Sequence, residues 1–414
     1  MIGRRSLLAG AAALSVSARA LAAESSRIVV SGATWLRPDQ PPREDTWIEI
    51  ESGLVVATGT GGASTTGTLI DAKGKVVTAG FVDLLTQVGV VSVDLERTAH
   101  DDADDRKDPV RAAFRTADGY DPAAAAIAVA RREGLTSVGV KPSGGLVAGQ
   151  SAWADLSGDL ADEALATRSM ALHVNTATWL GDGPSSIGAV MRRLREVFED
   201  ARWLAKNRAA YEKNQSRKLS AERLDLDVVT RAQAGKLPVV FTVDRASDIV
   251  TVLEFAHAEK LRAVLASVAE GWKVAPAIAR AKVPCIVHPL AHGPHDFDSM
   301  FSDEANAGRL AKAGVPVVLS TGETHNARKL RQEAGNAIRA GLSPSAALDG
   351  VTRAAARAMG LDDRYGSLEK GKVANLVVWS GDPFELSTRA EHVIIRGRET
   401  SLKTRQTALF DKYR

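Results

Sequence analysis

Three histidines crowd the stretch His288-Pro289-Leu290-Ala291-His292-Gly293-Pro294-His295, and a fourth, His325, stands two residues beyond Glu323. Imidazoles at such spacing do one of two kinds of chemistry. A single neutral ring accepts a proton from water and returns it to a leaving group near neutral pH. Three or four convergent rings instead hold a divalent metal. A third reading is plain: loop histidines that hydrogen-bond backbone and substrate. For proton transfer the candidates are His288 and His325, with Glu323 beside them. Asp244, Arg245, Glu270, His292 and Asn326 follow apolar runs and are candidates for binding a substrate. His100, His173, His257 and His392 are scattered and read as structural.

Other polar clusters carry less. Asp101, Asp102, Asp104, Asp105 and Asp108 lie in the acidic stretch Asp94 to Asp108, whose spacing matches no calcium loop and reads as a solvated loop. Gly144-Gly145 opens what looks like a hairpin insertion running to Gln150; no Gly-Lys-Ser/Thr follows, so it is not a phosphate loop. The one cysteine, Cys285, excludes an intrachain disulfide.

The elements that must position these groups alternate short apolar runs with helical patterns, the texture of a parallel α/β fold. Strands are expected at Thr78–Leu85, Ser137–Val140, Ala171–Asn175, Val239–Val243, Ala263–Ala266, Cys285–His288 and Val317–Ser320, with an eighth not placed. The acidic stretch follows the first of them, at the end where barrel active sites form. A helix is expected after Pro184, capped by Ser185 or Ser186, with Ile187, Val190, Met191, Leu194, Val197, Ala201 and Leu204 on one face. Its polar face makes it a surface helix packed on the sheet.

Both ends of the chain are β-rich. Arg27–Ser31, Trp47–Glu51 and Leu54–Gly59 read as strands, as do Leu376–Trp379 and His392–Arg396. The expected fold is therefore α/β: a TIM-type (β/α)8 barrel over residues 78–365. A small β-sandwich is expected to be built from both ends, residues 23–77 and 366–414.

Residues 1–22 have the order of a twin-arginine signal peptide. Arg4-Arg5 precede the apolar run Leu7–Leu14, and Ala20-Leu21-Ala22 supplies a cleavage site. Loss of this segment removes three arginines and no acid, so the formal charge goes from +3 to 0. A neutral chain gives no electrostatic reason to bind nucleic acid or an anionic membrane. No later apolar run is long enough to span a bilayer. The expected location is the periplasm or the exterior.

Two segments resemble the amidohydrolase superfamily, in particular its imidazolonepropionase-like members. One is Gly74-Lys75-Val76-Val77-Thr78-Ala79-Gly80-Phe81-Val82-Asp83. The other runs from Thr352 through Gly366-Ser367-Leu368-Glu369-Lys370-Gly371-Lys372-Val373-Ala374-Asn375-Leu376 to Trp379-Ser380-Gly381-Asp382-Pro383. The resemblance implies a barrel whose strand ends hold zinc or another divalent metal, which activates water against a C–N bond. This sequence departs from that pattern at the ligand positions. Leu85-Thr86-Gln87 stands where the family has His-x-His, and Thr242 and Ala266-Ser267 replace two histidines. Gly322, after Thr321, replaces the last aspartate. Leucine and glycine cannot ligate zinc, and hydroxyls replace imidazole poorly. No cofactor is therefore expected.

Two functions follow. One is an amidohydrolase-type hydrolase of a cyclic amide or small peptide. The other is a pseudoenzyme that binds a small molecule, or that supports an active paralogue in a hetero-oligomer; a homo-oligomer is also open.

Overall fold

The computed structural model describes residues 27–62, 66–176 and 186–414. The expected signal segment and the residues Pro184 and Ser185 lie outside them.

The amino-terminal segment forms strands β1 (Ile28–Arg37), β2 (Gln40–Glu51), β3 (Leu54–Thr60), β4 (Thr68–Asp71) and β5 (Val76–Ala79). The carboxy-terminal segment adds β14 (Leu376–Trp379), β15 (Ala390–Ile395) and β16 (Arg398–Glu399). Antiparallel pairing of Val76–Ala79 with Leu376–Trp379 joins the two groups. The result is one connected sheet in the order β16-β15-β14-β5-β1-β2-β3, with β4 on β1, rather than the expected sandwich. Its own apolar cluster includes Val30, Ile48, Ile50, Val77, Leu376 and Ile394.

Between these ends lie β6 (Phe81–Thr86), β7 (Leu135–Val140), β8 (Val147–Asp155), β9 (Leu165–Asn175), β10 (Val239–Val243), β11 (Ala263–Ser267), β12 (Cys285–Val287) and β13 (Val317–Leu319). They form an eight-stranded sheet in chain order. The run expected at Thr78–Leu85 is split at Gly80: its first residues belong to the composite sheet and the barrel begins at Phe81. A Cβ at Gly80 would stand 2.1 Å from Thr136 Oγ1, so only glycine fits this crossing.

The eighth strand is β8, and it runs antiparallel to both β7 and β9. This corrects the expected all-parallel (β/α)8 pattern. Gly144 and Gly145, both at positive φ, make the turn that reverses the chain. All nine residues of β8 are buried, so it lacks the alternation that marks a half-exposed strand.

The edge strands β6 and β13 do not pair through their backbones; Asp83 closes the gap. Its carboxylate accepts from Ser320 Oγ, from Thr321 N (3.1 Å) and from Thr321 Oγ1 (2.5 Å). A second buried carboxylate, Asp155 of β8, accepts from Ser137 Oγ (2.7 Å), Asn375 Nδ2 (2.9 Å), Tyr365 OH (3.0 Å) and Arg396 Nε (2.5 Å). It ties the barrel to the carboxy-terminal strands. The helix Ile187–Glu212 packs on the outside, capped by Ser186, and buries Val190, Met191, Leu194 and Leu204. Among the described residues no helix is long and apolar enough to cross a membrane.

Candidate functional site

Alternation along the barrel strands decides which side chains face the lumen. Val138 and Val140, Leu172 and Val174, Cys285 and Val287, and Val317 and Leu319 pack outward with the helices. Ala171, Val240, Ile286 and Val318 pack together inside. Successive strand residues point to opposite faces. The next inward positions at the strand exits are therefore Lys141, His173, Thr242, His288 and Ser320. A polar layer caps the apolar floor of the lumen.

His288 is the best placed of the expected groups. Its Nδ1 lies 2.8 Å from Ser320 O, a pure acceptor, so Nδ1 carries the proton and Nε2 keeps its lone pair. Burial pushes its pKa down to about 4, the nearby Lys141 charge lowering it further and the Ser320 bond opposing. The ring rests against Gly322: a Cβ at 322 would stand 3.0 Å from His288 Cε1. The imidazole thus fills the space directly beside Gly322.

A cleft of about 440 Å3 opens from this point. Among its walls are Asp244, Ser267, His288, His292, His295 and Glu323. Asp244 accepts from Ala269 N (3.0 Å), and burial raises its pKa. His292 Nδ1 lies 3.0 Å from Pro289 O, which leaves its Nε2 as the free nitrogen.

The remaining expected residues stand aside. His325 Nε2 is 3.4 Å from Asp94 Oδ1 in the loop after β6, and does not line the cleft. Arg245 is held by Asp298, and Glu270 accepts from Ala246 N (3.2 Å) and pairs with Lys273 at 3.2 Å. Asn326 precedes a short helical turn, Ala327–Lys329, without capping it through its side chain.

Three groups were not anticipated. His173, read as structural, faces the lumen; burial, and secondarily the charge of Lys141, lower its pKa to about 3. Lys141, immediately after β7, has its pKa lowered by burial, against the opposing charges of Asp102, Asp83 and Glu323. Glu333, buried behind the His288 loop, accepts from Leu290 N (2.7 Å) and is raised by burial to about 8. A lysine directly at a strand exit was the one sequence signal available for Lys141.

Leu85 is buried among apolar side chains. Gln87 Oε1 accepts from Thr324 Oγ1 at 3.1 Å. Ser267 donates to Asp244. Among the described residues no group of three or more His, Cys, Asp or Glu side chains is placed to hold a metal ion.

Comparison with known proteins fits this architecture. The pattern of the amidohydrolase family matches residues 191–400. An imidazolonepropionase of Aromatoleum aromaticum is 45% identical over 85 residues, 19% of this chain and 21% of that protein. An imidazolonepropionase of Pseudomonas aeruginosa is 55% identical over 47 residues, 11% of this chain and 12% of that protein. The chain thus spans about a fifth or less of the length of these curated relatives. Among solved structures, an amidohydrolase from Thermotoga maritima is similar with a TM-score of 0.82 at 25% identity, covering 90% of this chain and 99% of that one. A molinate hydrolase shares the fold, with a TM-score of 0.57 at 17% identity over 91% of this chain and 95% of that chain.

Proposed function

We infer that this chain, which belongs to the amidohydrolase family, hydrolyses a C–N bond of a small cyclic amide or peptide without the family's metal. One observation carries the reading. The Nδ1 proton of His288 is committed to Ser320 O, so its unprotonated Nε2 is left as the acceptor inside the barrel mouth beside the cleft. In the reaction Nε2 takes a proton from water as the water oxygen adds to the carbonyl carbon. The imidazolium then gives that proton to the leaving nitrogen as the C–N bond breaks. A pKa near 4 makes the imidazolium a strong acid, suited to protonating a poor leaving group.

A second reading is supported by Leu85, Thr242 and Gly322 at positions where the family resemblance implies ligands: a pocket that binds such a molecule without turning it over. It covers both a small-molecule-binding protein and a chain that supports an active paralogue. Arg4-Arg5, the apolar run Leu7–Leu14 and Ala20-Leu21-Ala22 favour a protein exported to the periplasm or beyond.

The test uses residues 23–414, stripped with chelator, against a panel of cyclic amides and dipeptides. Turnover should survive chelation and disappear in His288→Gln. It should be level across neutral pH and fall as pH drops through about 4, because protonation of Nε2 removes the base. Turnover that requires stoichiometric zinc, or that persists in His288→Gln, would sink the proposal. Binding without turnover selects the second reading.

A further inference from the structure

A second cleft, of about 600 Å3, lies at the end of the barrel away from His288. Asp155 marks that end, since it pairs with Ser137 near the entry of β7, while His288 follows the exit of β12. The walls come from both parts of the molecule: the β2–β3 turn, the segment after β8, the loop at Arg364 and the β15–β16 turn. Their charge is one-sided. Arg364, Arg396 and Arg398 line the cleft against a single carboxylate, Glu163.

The three guanidiniums are not equivalent. Arg396 is spent inside the protein: its Nε donates to Asp155 Oδ2 (2.5 Å), and its other nitrogens donate to Glu163 O and Ala164 O. Arg364 and Arg398 make no ion pair or side-chain hydrogen bond among the described residues. Arg364 only lies over the Tyr365 ring, 5.4 Å from its centroid. Glu163 pairs with neither; its Oε2 accepts from Asp159 N at 2.9 Å. Two cations facing one cavity without counter-charges raise its potential and favour an anion there.

Both arginines stand on fixed backbone. Arg364 O accepts from Val373 N (2.9 Å), and Arg364 N donates to Leu361 O (3.1 Å). Arg398 follows the turn Arg396-Gly397, which interlocks with the turn Ser52-Gly53. All four turn residues have positive φ, and a Cβ at Gly397 would stand 2.7 Å from Gly53 Cα. Side chains carried on such a frame lose less freedom when a ligand is bound. The same walls hold apolar surface, including Leu54, which is 41% exposed, and Val373.

We propose that this cleft binds an organic phosphate monoester, with Arg364 and Arg398 on the phosphate and the organic body against Leu54 and Val373. A guanidinium fork meets phosphate oxygens two at a time. A monoester carries a charge of about −1.5 to −2 at neutral pH, close to one for each arginine. The volume is that of a small-molecule site and exceeds what inorganic phosphate fills. The site is separate from His288 and does not depend on the hydrolytic reading.

The experiment compares AMP and phenyl phosphate with adenosine, phenol and inorganic phosphate on residues 23–414 by calorimetry at fixed salt. At least one of the two esters should bind, and its neutral counterpart should bind at least about tenfold more weakly, the scale of a charge-assisted hydrogen bond. Arg364→Gln and Arg398→Gln should each weaken the ester by about tenfold with little change in melting temperature, because both side chains are exposed. Arg398→Lys should retain part of the binding. Arg192→Gln, on the outer helix, and His288→Gln should leave it unchanged. Absence of binding by both esters, equal affinity for the neutral counterparts, or an ester no tighter than inorganic phosphate would overturn the proposal. So would binding unchanged in both arginine variants, or binding lost in His288→Gln.

Discussion

Gly322→Ala probes the seat of His288 with a single methyl group. Gly322 has φ +69°. An L-residue in that region costs about 1–2 kcal/mol. The new Cβ would stand 3.0 Å from His288 Cε1 and 3.3 Å from Nδ1, tighter than ordinary van der Waals contact. Relief requires the ring to move, and its Nδ1 is held 2.8 Å from Ser320 O. Loss of that bond adds about 1 kcal/mol. The variant should therefore be about 2–3 kcal/mol less stable than the parent, read as a lower urea midpoint at unchanged slope. Amide exchange should quicken first around residues 288–292 and 320–324. A difference under about 0.5 kcal/mol, within the range of neutral surface changes, would show that the ring is not packed against Gly322.

Asp83→Ala should cost about 2–4 kcal/mol, because Ser320 Oγ, Thr321 N and Thr321 Oγ1 all lose their acceptor in a buried site. Amides of β6 and β13 should then exchange together; protection in either strand unchanged would refute the clasp. Deleting residues 376–414 should expose β5 and speed exchange in β1 as well, since β14 pairs with β5 and β5 with β1. Full protection of β1 after truncation would show that the composite sheet does not depend on its carboxy-terminal strands.

Much of the architecture was legible because parallel strands buried on both faces read as apolar runs. Val239–Val243 was expected and found with the same bounds, and Cys285–His288 differs from β12 only at its last residue. The strand that escaped, β8, is rich in alanine and polar residues and carries neither an apolar run nor an alternation. Its turn glycines were visible; the nine residues after the turn were not legible as a strand. The site divided along similar lines. His288 and Asp244 stand out because polar residues at strand exits are uncommon. His173 sits inside a strand, where its burial and lack of partner depend on what β7, β8 and β10 place around it. The pairing of Gly322 with His288 is likewise invisible in one dimension, since 34 positions separate two groups in contact.

The seam between β5 and β14 also sets a sequence in time. Trp379 Nε1 donates to Thr78 Oγ1 at 2.9 Å across 301 residues of chain. Closing so long a loop is entropically slow unless the intervening barrel has already drawn the ends together. The strands β1, β2 and β3 can pair locally, but the β5–β14 seam must await the carboxy-terminal strands. Until they arrive, the β5 edge lies open to any strand it meets.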